Sequence, residues 1–221
     1  MSHRKHRTPH VSPAQVEGRP RFGVLILAVT AFSLALAQTV SAHPDHGTGG
    51  VASGQSLLQG LLHPISGLDH LLAMIAVGVL AVTCKNRTVA WLTPFGFLAG
   101  MALGGVVGIS VLSSVAGPGA ELAIALSVIL LGVLIGTVTN SSGWWLPMAA
   151  AVFGAFHGLA HGAELPARAI PVAYIAGFLV ATALLHLAGT GIGIGLRQSV
   201  RIRQIAAAVV SSAGIVLFVS L

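Results

Sequence analysis

Six apolar stretches, each long enough to cross a bilayer, follow one another from residue 56 to residue 221, separated by short segments that carry Gly, Pro, Ser or charge. They lie near 56–83, 89–113, 119–138, 144–163, 169–195 and 203–221. A spanning helix needs about 20 mostly apolar residues, because hydrocarbon supplies no water to satisfy backbone amides and carbonyls. The expected fold is therefore all-α, a polytopic membrane bundle of six transmembrane helices over 56–221 with no soluble domain. Composition agrees, with 55% hydrophobic and 7% charged residues where soluble domains carry about 25% charge. The first and fifth stretches are long enough to tilt or to contain a break.

The formal charge of +6 invites a nucleic-acid reading, but five basic residues, Arg4, Lys5, Arg7, Arg19 and Arg21, precede the first apolar run. Together with the apolar segment Phe22–Ala37 and the small-residue site Val40-Ser41-Ala42, they read as a signal peptide over 1–42, cleaved before His43. An uncleaved first helix is the other reading, because the basic region is long. Beyond it a short histidine-bearing terminus, 43–55, is expected on the periplasmic side. In the mature chain six basic residues (Lys85, Arg87, Arg168, Arg197, Arg201, Arg203) face four acidic ones (Asp45, Asp69, Glu121, Glu164), which removes the case for nucleic acid. Lys85 and Arg87 follow the first stretch, and Arg197, Arg201 and Arg203 follow the fifth. The positive-inside rule makes both loops cytoplasmic, in agreement with the signal peptide. Cys84 is the only cysteine, so a bound metal would rest on nitrogen and oxygen ligands.

Glycines recur every four residues at Gly96, Gly100, Gly104 and Gly108, and again at Gly132 and Gly136. Small residues on one helix face let backbones approach closely in lipid, so these positions are read as packing faces. The Gly189–Gly195 run lacks the preceding strand and the following acid of a nucleotide loop.

Against this apolar background stand His63, Asp69 and His70 in the first stretch and His157, His161 and Glu164 in the fourth. An ionisable side chain near a bilayer centre costs about 2.5–3.5 kcal/mol on insertion scales, which marks such a cluster as functional. Imidazoles mixed with carboxylates point to a divalent transition metal. His157 and His161, at i and i+4, point within about 40° of each other and lie about 6 Å apart along the axis, as in helical zinc sites. Glu164 is about 10.5 Å beyond His157, so it is expected to support His161 or guard the entrance. His63 and His70 also differ by about 10.5 Å in height, with Asp69 about 100° from His70. A straight helix keeps these three apart; a helix start at Pro64 or a break at Gly67 would re-aim them. Depths counted along ideal helices give an outer tier of His63, His161 and His157 at about 4–10 Å. An inner tier of Asp69, His70 and His186 follows at about 18–22 Å. His43, Asp45 and His46 would lie near the mouth.

The run His63-Pro64-x-x-Gly67-x-Asp69-His70-x-x-Ala73-Met74 resembles the first signature of the HupE/UreJ family. Phe156-His157-Gly158-x-Ala160-His161-Gly162-x-Glu164 resembles the second. The resemblance covers the mature chain, including His186 in a Thr182-x-x-x-His186-x-x-Gly189 setting. It implies a nickel or cobalt permease of the cytoplasmic membrane, linked indirectly to hydrogenase or urease maturation. The first-motif His and Asp and the second-motif His and Glu are its expected functional residues. The candidate metal residues are thus His63, Asp69, His70, His157, His161 and Glu164, with His43, Asp45, His46 and His186 as auxiliaries. No permanently bound cofactor is expected, Ni2+ or Co2+ being cargo. The expected partners are the ion and the lipid bilayer, and self-association into a homo-oligomer is compatible with the sequence.

Other function classes meet specific obstacles. A haem protein needs axial histidines at matched depth on facing helices, which His63 and His157 would meet only by coincidence. A membrane metalloenzyme would use the i,i+4 histidines with Glu164 as base. The predicted membrane interior contains no Lys or Arg to neutralise Asp69 and Glu164, so a cation from outside is the better partner. Histidine must be neutral to ligate, and binding is expected to weaken on acidification. There is also a weak echo between the first and fourth stretches, a histidine followed six or seven residues later by an acid. It would fit two inverted three-helix halves.

Overall fold

The computed structural model describes residues 53–111 and 117–221. The expected signal peptide, and with it His43, Asp45 and His46, lies outside these residues. Seven helices follow in order: α1 Ser53–Ser66, α2 Leu68–Ala81, α3 Arg87–Val111, α4 Gly117–Thr137, α5 Trp145–Ala163, α6 Pro171–Leu196 and α7 Val200–Val219. No named strand occurs among the described residues.

Four helices are long and apolar enough to cross a membrane: Arg87–Ser110, Gly119–Thr137, Pro171–Leu196 and Val200–Val219. The α1–α2 pair would make a fifth if counted as one span. In α5, 19 residues long, His157, His161 and three glycines dilute the apolar run, and it falls short of that test. Large apolar side chains such as Leu103, Val172 and Leu187 stand exposed on outward faces. The core is filled by Phe97, Met101, Met74, Phe178 and Tyr174.

The expected first helix is broken. α1 and α2 meet at an angle of 83°, with Gly67 in extended backbone (φ −98°, ψ 123°) as the N-cap of α2. Pro64, inside the last turn of α1, has no amide to donate, which weakens the ladder just before the break. The hydroxyl of Ser66 donates to the His63 carbonyl at 2.7 Å, satisfying one of the acceptors that the interruption frees.

Glycine then decides which helices touch. A Cβ at Gly96, Gly100, Gly104 or Gly108 of α3 would meet the backbone carbonyls of Pro147, Ala151, Ala155 or Leu159 of α5. The contact is reciprocal, because Gly154, Gly158 and Gly162 of α5 face the carbonyls of Phe97, Met101 and Gly105. The expected packing face on α3 is thus met by a second one on α5. In the same way α6 is drawn onto both limbs of the broken helix, through Gly60 and Gly177 at α1 and through Gly78 and Gly189 at α2. A third pair, α4 with α7, closes over Gly132 and Gly214.

Candidate functional site

The break at Gly67 creates a new helix N-terminus one residue before Leu68, and this is what holds the first motif together. Unpaired amides there favour a carboxylate. The Asp69 Oδ1 accepts from the His70 amide at 2.8 Å and lies 2.7 Å from the His70 Nδ1. An ideal helix would have pointed Asp69 away from His70; at the first turn its short side chain folds back over the ring. With Nδ1 engaged, the His70 Nε2 is buried and has no hydrogen-bond partner.

From α5 the same logic presents two more imidazoles. His157 Nδ1 donates to the Phe153 carbonyl at 2.9 Å, which leaves its Nε2 as the lone-pair atom. That atom is also buried and unpartnered, as are both ring nitrogens of His161. Phe178 of α6 stacks on His161 with ring centroids 5.1 Å apart and holds its plane.

The four imidazoles form a continuous chain. Ring centroids are 4.7 Å apart between His63 and His161, 4.4 Å between His161 and His70, and 5.2 Å between His70 and His157. At the open end the Glu164 Oε2 lies 3.0 Å from the His63 Nε2. One ligand atom each from His63, His161 and Glu164 falls within a 4.8 Å group. Around a single ion such donors stand about 3–4 Å apart, so a small contraction would close this group on a metal. Burial is graded along the chain: the Glu164 side chain is 43% exposed and that of His63 29%, while His157 and His161 are fully buried. The cluster is a cage whose most exposed members are Glu164 and His63, with Asp69 also partly exposed.

No solved structure matches the chain. The family model described as HupE / UreJ protein matches residues 30–217. A curated relative, "Protein HupE" of Rhizobium leguminosarum bv. viciae, is 42% identical over 170 residues, covering 75% of this chain and 82% of the relative. The chain belongs to the HupE/UreJ family. Its apolar helices and this membership make it a multi-pass membrane protein, and the family is one of membrane accessory and permease-type proteins rather than enzymes.

Every residue of the cage falls within the HupE/UreJ match, yet the geometry revises three expectations. The two tiers merge, because the 83° bend brings His70 against both His157 and His161. His157 and His161 do not form the three-donor group together; His161 joins His63 and Glu164, and His157 is reached through His70. His186 stands apart, separated from His157 by the ring of Phe97, whose centroid is 5.3 Å from each.

Four residues of the site were not anticipated. Tyr174 packs its ring 5.8 Å from that of His63, and its buried hydroxyl has no partner. Glu121, early in α4, shares an electrostatic environment with Glu164, Asp69 and His70. Phe178 and Phe97 flank the imidazoles. A signal for part of this was present, since Tyr174, Phe178, Thr182 and His186 recur every four residues on one buried face of α6.

Proposed function

We propose that the protein is a secondary permease that carries Ni2+ or Co2+ inward across the cytoplasmic membrane. The observation that carries this reading is the cage itself. Three donors gather where the cluster is most exposed, and behind them lies a chain of buried imidazoles whose Nε2 atoms lack hydrogen-bond partners. Buried polar atoms are nearly always satisfied, so a row of orphaned nitrogens marks a place kept for a ligand. A purely structural cluster would have paired them.

In this reading the spans number six, with the α1–α2 pair and α5 each crossing once. Lys85, Arg87 and Arg197, which line one cavity, face the cytoplasm, and the Glu164 mouth and the mature N-terminus face the periplasm. Glu164 and His63 capture the ion, His161 completes its first coordination, and His70 and His157 take it deeper. Asp69 orients His70 and keeps its Nε2 free, as carboxylates do for metal-bound histidines. Cargo released inside would serve nickel- or cobalt-dependent enzyme maturation. A haem reading loses ground to the packing of the rings, since centroids 4.4 Å apart for His70 and His161 leave no slot for a porphyrin between them.

Radioactive nickel and cobalt uptake in cells expressing wild type and His161→Ala tests the proposal. Uptake is expected in the wild type and its loss in the variant; equal uptake by both would refute the path. A Soret band in the purified protein would return the haem reading.

A further inference from the structure

Below the cage a single ring contacts both His157 and His186. Phe97 is fully buried and lies between His157 and His186, inclined at 56° to the first and 82° to the second. Beside it the space is filled by Met74 and Met101, whose sulfurs lie 3.3 Å and 3.4 Å from the Thr182 hydroxyl. On the far side His186 lines a mainly apolar cavity of about 680 Å³, bordered by the exposed Trp91, Phe95 and Leu187 together with Cys84, Lys85, Arg87 and Arg197. Both ring nitrogens of His186 are buried without a partner. That is the condition of the cage histidines, at a position that does not touch the cage.

We propose that Phe97 is the closed gate of the path, dividing the histidine cage from an inner vestibule in which His186 is the first ligand for the divalent ion. This rests on the permease reading above and assigns it a barrier and a second station. The movable part is the ring. A Cβ on Gly154 would meet the Phe97 carbonyl, so the backbone is clamped to α5, whereas the side chain is held by dispersion contacts alone. When the ring swings aside, the His157 nitrogen and the His186 nitrogens face one another across the space it leaves. Charge favours retention of the ion in the cage: Glu164 stands at its open end, whereas three cations line the vestibule and oppose entry of a divalent ion.

Cys84, the chain's only cysteine, lines the vestibule and reports on the gate. The full chain is held in right-side-out and inside-out membrane vesicles, and Ag+, an ion-sized thiol reagent, is added to one face. Blocked Cys84 is then scored by its failure to take a fluorescent maleimide after solubilisation. In the wild type, blocking is expected to be fast from the cytoplasmic face and slow from the opposite face. In Phe97→Ala and Phe97→Val the slow rate should rise about tenfold or more, equivalent to about 1.4 kcal/mol off the barrier, with the fast rate unchanged. Phe97→Trp should remain slow.

Equal rates from both faces in the wild type would overturn the proposal, as would an unchanged outer rate in the alanine and valine variants. A rise from both faces alike would mean a loosened bundle and would also count against a gate. The valine variant keeps the measurement decisive if alanine disturbs folding. No metal uptake is needed for this readout. Failed nickel uptake with an opened outer route removes the permease and leaves the barrier, and normal uptake with unaltered Cys84 kinetics removes the gate alone.

Discussion

An imidazole ligates through a nitrogen that is not already donating a hydrogen bond, and at His70 and His157 the neighbouring groups decide which nitrogen that is. Asp69 engages the His70 Nδ1 and the Phe153 carbonyl engages the His157 Nδ1, so each presents Nε2. Asp69→Asn removes the charge behind His70 and should weaken Ni2+ binding about 10–100-fold, the usual effect of losing such a partner. His161→Ala removes a donor outright and should weaken it further. Calorimetric titration of the detergent-solubilised protein compares the two, and equal affinities for wild type and Asp69→Asn would show that the pair is idle. At Cys84 burial pushes the thiol pKa up. The thiolate is the reactive form, so a higher pKa means less thiolate at any given pH. Maleimide labelling should then be slow at neutral pH and reach half its maximum rate above the ordinary thiol value of about 8.5. Labelling as fast as a free thiol at pH 7 would contradict this. The types and spacing of these residues were legible in the chain; the choice of ring nitrogen was not, because it depends on what folds against each ring.

Glycine acts at the level of helices in two ways, as a break and as a packing face. Gly67 allows the bend that presents His70, and its own Cα faces the pair it created. A Cβ there would lie 2.8 Å from the Asp69 Oδ1 and 2.9 Å from the His70 Nδ1. Gly67→Ala is expected to fold, since its extended backbone suits alanine, and to lose metal affinity on the scale of Asp69→Asn. Unchanged affinity would separate the bend from the site. Packing glycines should behave differently. A Cβ at Gly189 would strike the Ile75 carbonyl, whereas none of the surrounding atoms approaches within 4 Å at Gly191. Gly189→Ala should destabilise by about 1–3 kcal/mol, as overpacking does. Gly191→Ala should be neutral or stabilise by up to about 1 kcal/mol through helix propensity. Thermal unfolding in detergent should order them so, and a reversed order would contradict the packing roles. The stripe on α3 was readable from its four-residue period. Its partner was not, because Gly154, Gly158 and Gly162 are interleaved with the histidines, which drew the stronger inference.

For the whole molecule, the helices pair as α1–α2 with α6, α3 with α5, and α4 with α7. Exchanging the first half (α1–α2, α3, α4) with the second (α5, α6, α7) turns this pairing into itself. Three spans per half would also invert one half in the membrane, the arrangement from which many secondary transporters are built, with the site where the halves meet. The cage fits that position, drawing His63, Asp69 and His70 from one half and His157, His161 and Glu164 from the other. Inward movement of a divalent ion through 100 mV, negative inside, gains about 4.6 kcal/mol. In proteoliposomes an imposed inside-negative potential should therefore drive nickel accumulation without ATP. Indifference to that potential would exclude net movement of charge with the ion.

Helical class, the bilayer environment, the glycine face of α3 and the identity of the cage residues followed from the sequence alone. Each depends on local composition or on a period along one helix. The union of the two tiers, the removal of His186 behind Phe97 and the vestibule beyond it were decided only by tertiary structure. Those features depend on the angle at Gly67 and on which helix faces which, and contacts between segments a hundred residues apart leave no period in the chain.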